Sequence, residues 1–152
     1  MAVVGHGTGA PELSRRLAAV VTQSEIAVSG TGSVDMAKRM TLAAALEAVR
    51  ESDDGVYGVL LERGSLQIGY YRPVGVDPQQ PHDKDEVYII QSGTGCFVLG
   101  SHRQPFSPGE ALFVPAGVVH RFEDFSEDLA AWVIFYGPAG GEEAPDREDA
   151  ES

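Results

Sequence analysis

The chain is poor in cysteine and in positive charge and has no long apolar run, and each shortage removes a class of function. Cys96 is the only cysteine in 152 residues, so neither an intrachain disulfide nor a multi-cysteine zinc site can form. It is read as a small apolar residue in a strand. Lys and Arg number 11 against 23 Asp and Glu, a formal charge of −12. Such a chain repels phosphate, so nucleic acid is excluded as a partner. No apolar run approaches the roughly 20 residues that a membrane helix needs, and no basic, apolar, cleavable start is visible. A cytoplasmic protein without a membrane partner is therefore expected.

An apolar content of 43% is that of a globular domain, and the length suits a single core. Three regions are expected: an extension over 1–40, a folded domain over 41–138 and a disordered tail over 139–152. The extension is rich in small residues and carries one helical pattern, Pro11–Gln23, with Leu13, Leu17 and Val20 at helical spacing. Gly5–Gly9 resembles a phosphate loop only superficially, because neither a preceding strand nor the Gly-Lys-Ser/Thr ending is present. A second helix, Leu42–Arg50, is predicted with Thr41 as N-cap and Leu42, Leu46 and Val49 on its buried face. The tail holds six acids and one arginine without apolar periodicity.

From Val56 onward the pattern is that of strands. Val56–Leu61 and Leu66–Tyr71 are divided by the turn Glu62-Arg63-Gly64-Ser65. Cys96–Leu99 follows a Gly93/Gly95 turn, Ala111–Val114 ends at Pro115, His120–Asp124 alternates, and Leu129–Tyr136 is almost wholly apolar. Short strands after one or two short N-terminal helices predict an all-β fold, a small antiparallel β-barrel. Edge strands of such barrels need cover, so a homodimer through Val56–Tyr71 is expected.

Two segments carry the chemistry. The first is Gln80-Pro81-His82-Asp83-Lys84-Asp85-Glu86, followed after six residues by Gly93. The second is Gly109, Pro115-Ala116-Gly117 and His120, with Asp124 four positions on. If the first segment is a regular strand, Gln80, His82 and Glu86 share a face, while Asp83 and Asp85 point to solvent. The two segments resemble the motifs of the cupin superfamily, G-x5-H-x-H-x3,4-E-x6-G and G-x5-P-x-G-x2-H-x3-N. His82, Glu86 and Gly93 fall on the first motif, and Gly109, Pro115, Gly117 and His120 on the second. Gln80 stands where the first motif has its first histidine, and Asp124 stands where the second has its asparagine.

The resemblance implies a jelly-roll barrel and a metal held by His82, Glu86 and His120, with Gln80 a weak or absent fourth ligand. Two imidazoles and a carboxylate favour a divalent transition ion, Fe, Mn, Ni, Co, Cu or Zn, over Mg²⁺ or Ca²⁺. The set is the type used by non-haem iron oxygenases, so the function expected is metal-dependent oxygenation of a small organic molecule. The alternative is a non-catalytic cupin that binds a small ligand or uses metal as a brace. Tyr88 and Phe122 share strand faces with the ligands and are candidates to line the cavity. Arg72 and Lys84 are the nearby cations able to hold an acidic substrate, and Asp124 is assigned a structural hydrogen bond. His6 and His102 match no motif position and are read as surface residues.

Overall fold

The structure, a computed structural model, describes residues 38–143. The helix expected at Pro11–Gln23, the Gly5–Gly9 stretch, His6 and the acidic segment 144–152 lie outside the described residues. Among the described residues, one α-helix and eight strands follow in chain order: α1 (Leu42–Glu51), β1 (Tyr57–Arg63), β2 (Leu66–Tyr71), β3 (Asp85–Ser92), β4 (Gly95–Leu99), β5 (His102–Phe106), β6 (Ala111–Val114), β7 (His120–Glu123) and β8 (Ala130–Tyr136).

Helix α1 starts where the Ala44 N–H donates to the Thr41 hydroxyl at 3.2 Å, the cap expected from sequence. It ends at Ser52, which turns to an extended conformation and donates its hydroxyl to the Val49 carbonyl at 2.7 Å. The buried face differs from the expected one. Ala45 and Val49 are buried, whereas Leu42 and Leu46 are 42% and 39% exposed. The cause is a close approach to β1: a Cβ on Gly58 would lie 2.4 Å from the Ala48 backbone, so only the alanine-rich side of the helix fits there.

All described strand pairings are antiparallel and form two sheets, one in the order β1-β2-β8-β3-β6 and the other β5-β4-β7. The expected barrel is thus realised as two facing sheets that no main-chain ladder among the described residues closes into a cylinder. Side chains from both inner faces, among them Tyr88, Phe97, Phe106, Phe122, Leu112 and Val133, make the core. A smaller cluster of Ala45, Val49, Tyr70 and Ala130 lies under the helix, on the outer face of the larger sheet.

Strand β5 was not anticipated. Its sequence, His-Arg-Gln-Pro-Phe, is polar and contains a proline, and four of its five residues are exposed. It is an edge strand paired only with β4, and there a proline costs no ladder bond on the open side. His102, read from sequence as a surface residue, is the first residue of this strand and is exposed.

The acidic segment also departs from expectation at its start. The Gly140 N–H donates to the Asp83 carbonyl at 2.6 Å and the Glu142 N–H to the Asp85 carboxylate at 2.8 Å, so these residues are tied to the domain.

Candidate metal centre

Strand β3 places Glu86 and Tyr88 on the inner face, where Glu86 is 1% exposed and Tyr88 fully buried. Opposite, on β7, His120 and Phe122 also point inward while Arg121 and Glu123 face out. His82 precedes β3 in a loop, so the strand parity expected for Gln80, His82 and Glu86 does not operate before Asp85. His82 reaches the site by the loop's own course.

The two motifs are stapled together by backbone. The Gly117 N–H donates to the His82 carbonyl at 2.7 Å and the Ala116 N–H to the Asp85 carboxylate at 2.9 Å. Gly117 has φ +77°, a conformation that glycine adopts without strain, and the turn it completes delivers His120. Asp85 is therefore buried and structural, a correction to the expected solvent exposure. It makes up for burial by accepting main-chain N–H groups from two loops. Asp83 is exposed, as expected.

The imidazole orientations decide the chemistry of the site. His82 Nδ1 lies 2.7 Å from the Lys84 carbonyl and His120 Nδ1 lies 2.9 Å from the Val118 carbonyl. A carbonyl only accepts, so each Nδ1 carries the hydrogen and each neutral ring presents a bare Nε2 lone pair. Both Nε2 atoms converge on Glu86 Oε2, at 2.6 Å from His82 and 3.2 Å from His120. The contact from His120 lacks hydrogen-bond geometry, leaving its Nε2 buried without a partner. One ligand atom from each of His82, Glu86 and His120 lies within 4.8 Å of the others. Two lone pairs facing a carboxylate oxygen, one of them orphaned, require a cation or a proton between them. The residues fit a divalent transition ion, which would be held by these three side chains.

Electrostatics agrees. Burial would raise the Glu86 carboxyl, but the imidazoles of His120 and His82 outweigh it and hold the group below the usual carboxylate range. Burial would lower the His120 imidazole, but Glu86 and the Val118 carbonyl outweigh it and pull its pKa up. The site is thus built around a carboxylate that stays charged and seeks positive partners.

Gln80 does not join this group. Its side chain is exposed and its amide nitrogen lies 3.5 Å from the Pro78 carbonyl. The neighbouring Gln79 turns inward instead, accepting from the Tyr88 hydroxyl at 2.5 Å and donating to Asp77 at 2.8 Å. In front of His82 and Glu86 lies a cavity of about 560 Å³, whose wall includes Tyr57, Gln67, Tyr71, Gln79, Tyr88 and Phe135. Tyr88 lines it as expected. Phe122 does not, because its ring is packed in the core against Tyr88, Phe97 and Phe106 at 5.0–5.2 Å. Of the two expected cations Lys84 lines the cavity and Arg72 does not; Arg63, from the β1–β2 hairpin, does.

Asp77 escaped the sequence reading. It is 6% exposed and accepts from the Tyr71 hydroxyl at 2.7 Å, from the Gln79 side chain and main chain, and from the Phe122 N–H at 2.8 Å. The last bond caps the edge of β7 that β4 leaves unpaired, tying the loop before β3 to the strand of His120. An aspartate in a Pro/Gly loop offers no sequence signal for such a role. Tyr57, Gln67 and Tyr71 could have been found by strand alternation. Asp124 sits at the surface with φ +48°, bonded to Arg103, a conformation that Asp and Asn tolerate.

Residues 69–136 match the Cupin domain family. The chain belongs to the cupin superfamily. A relative from Streptomyces coelicolor, the uncharacterised protein SCO3923, is 39% identical over 95 residues, which make up 61% of this chain and 90% of the relative. Among solved structures, the cupin fold recurs in protein NMB1881 of Neisseria meningitidis, with a TM-score of 0.52 and 20% identity over 66% of this chain and all of the other. It recurs also in a cupin 2 conserved barrel domain protein of Salinispora arenicola, with a TM-score of 0.51 and 18% identity over 67% and 89% of the two chains. At these identities the structural likeness shows the fold alone. The cupin motifs here retain the second histidine, the glutamate and the last histidine, and the position of the first histidine is turned to solvent.

Proposed function

We propose that this cupin is a metal-dependent enzyme, an oxygenase acting on a small organic molecule. The observation that carries the reading is the pair of Nε2 lone pairs aimed at one buried carboxylate oxygen beside an organic-sized cavity. When bound, a divalent transition ion with three protein ligands supplies Lewis acidity and, for iron, dioxygen chemistry at its open positions. The chain's own contribution is to fix both imidazoles through Lys84 and Val118, to keep Glu86 ionised, and to hold the substrate against Tyr57, Tyr71, Gln79 and Phe135. Gln80 is exposed at the rim of the cavity, with its amide beside the Pro78 carbonyl.

A non-catalytic cupin is the second reading, and one observation favours it. The tyrosine hydroxyls of the wall are all engaged as donors, and burial pushes the Tyr57 and Tyr71 phenols well above their ordinary range, so neither serves as a base. Metal analysis of protein purified without added metal, followed by dioxygen uptake with Fe(II) and candidate small substrates, separates the two. Bound metal with substrate-dependent uptake supports the enzyme; bound metal with no uptake across a broad substrate panel supports the brace or ligand carrier.

A further inference from the structure

We infer that the cavity takes a neutral molecule rich in hydroxyl groups, with the chemistry of a catechol or polyol, and discriminates against carboxylates, phosphates and diketones. The cavity's role as a substrate site rests on the enzyme reading above, but the ligand class is read from the wall itself. Two glutamines on that wall are each held between an acid and a tyrosine. Gln79 Nε2 donates to Asp77 at 2.8 Å and Gln79 Oε1 accepts from Tyr88 at 2.5 Å. Gln67 Nε2 donates to Glu62 at 2.7 Å and Gln67 Oε1 accepts from Tyr57 at 3.0 Å.

These chains admit one set of hydrogen positions. A carboxylate only accepts, so each amide must turn its NH₂ toward the acid and its oxygen toward the tyrosine, and each tyrosine must donate. Tyr71 likewise gives its hydrogen to Asp77. All three phenolic hydrogens are thereby used, while their oxygen lone pairs remain. Apart from the exposed Arg63, Ser65 and Gln80 at its rim and Lys84 beside Ser65, the wall offers a ligand one spare N–H from each amide against the lone pairs of three phenols, two amide oxygens and the Glu62 carboxylate. It is rich in acceptors and short of donors. A ligand whose polar atoms are hydroxyls satisfies such a wall; one bearing carbonyl or carboxylate oxygens leaves acceptors facing acceptors.

Charge points the same way. The cations on the lining are Arg63, which is exposed, and Lys84, whose ammonium leans toward the Ser65 carbonyl at 3.4 Å. Asp54, Glu62, Asp83 and Glu86 line the same space, so in the metal-free chain an anion meets an excess of negative charge.

The test titrates catechol, its dimethyl ether veratrole and benzoate into the full chain by calorimetry, as purified and again after EDTA treatment. Catechol is expected to bind about tenfold more tightly than veratrole in both preparations, with benzoate weakest and unaffected by Lys84→Ala. Equal binding of catechol and veratrole, absence of saturable catechol binding, or tight benzoate binding lost in Lys84→Ala overturns the inference. Failure to retain metal sinks the enzyme reading while the preference of the EDTA-treated chain still reports on the wall. Metal loading without that preference sinks only the ligand class.

Discussion

At the scale of single residues, the decisive facts are two histidine tautomers. Backbone carbonyls at Lys84 and Val118 dictate where the hydrogens sit, and the bare Nε2 atoms follow. His82→Ala and His120→Ala are each expected to lower metal content to a small fraction of wild type, read by elemental analysis, because two remaining donors hold a divalent ion poorly. Gln80→Ala is expected to leave metal content unchanged, since the side chain is exposed and its amide lies against the Pro78 carbonyl. A loss comparable to that of His82→Ala would place Gln80 among the ligands.

The pH dependence follows from the shifts at Glu86 and His120. The lowered Glu86 pKa contributes stability fully above its ordinary 4.5, and this is lost as pH falls through the folded value. The raised His120 pKa contributes stability fully below its ordinary 6.5, and this is lost as pH rises through the folded value. Metal-free protein should therefore melt highest between these two limits. Metal-loaded protein should instead gain Tm as pH rises above 6.5, because the ion needs a deprotonated His120. Parallel melting curves for the two forms across that range would contradict this account.

At the scale of elements, the site depends on how loops are fastened to strands. Asp77 serves four donors from β2, its own loop and β7, so Asp77→Ala leaves a phenol and main-chain groups without partners. We expect a loss of about 3 kcal/mol in urea unfolding, within the range for buried polar networks broken on one side. A loss below about 1 kcal/mol would mean that water replaces the carboxylate readily. The motif positions, by contrast, were legible as spacing because turns are local. Gly117 and Pro115 shape the reversal that presents His120, and this needs no information from elsewhere in the chain. The hidden partners, Asp77 and Gln79, act on residues up to 45 positions away, and no local pattern records such a bond. Strand β5 was missed for a related reason: its exposed polar sequence becomes a strand only because β4 lies beside it.

At the scale of the molecule, the outer face of the larger sheet is only partly covered by α1. Beyond the helix, Leu61, Ile68, Ile134, Val87 and Phe113 are successive cross-strand neighbours over five strands, and none is fully buried. The row starts inside the Val56–Tyr71 stretch expected at a dimer contact and contains no charge. Self-association through this face is expected, with Ile68→Glu shifting the protein to monomer in sedimentation. A monomeric wild-type profile would reject it. No helix among the described residues is long and apolar enough to cross a membrane.

The sequence by itself determined the family, the antiparallel strand content and three side chains, His82, Glu86 and His120, because these depend on local spacing and on residue chemistry. Tertiary structure alone decided that Gln80 is left exposed while Gln79 is held by Asp77 and Tyr88, that Asp85 and Asp77 are buried fasteners, and that Phe122 belongs to the core. Those outcomes are set by which loop meets which strand edge, where a buried polar group must find a partner. The partner's identity is a property of the folded surface and not of the neighbouring sequence.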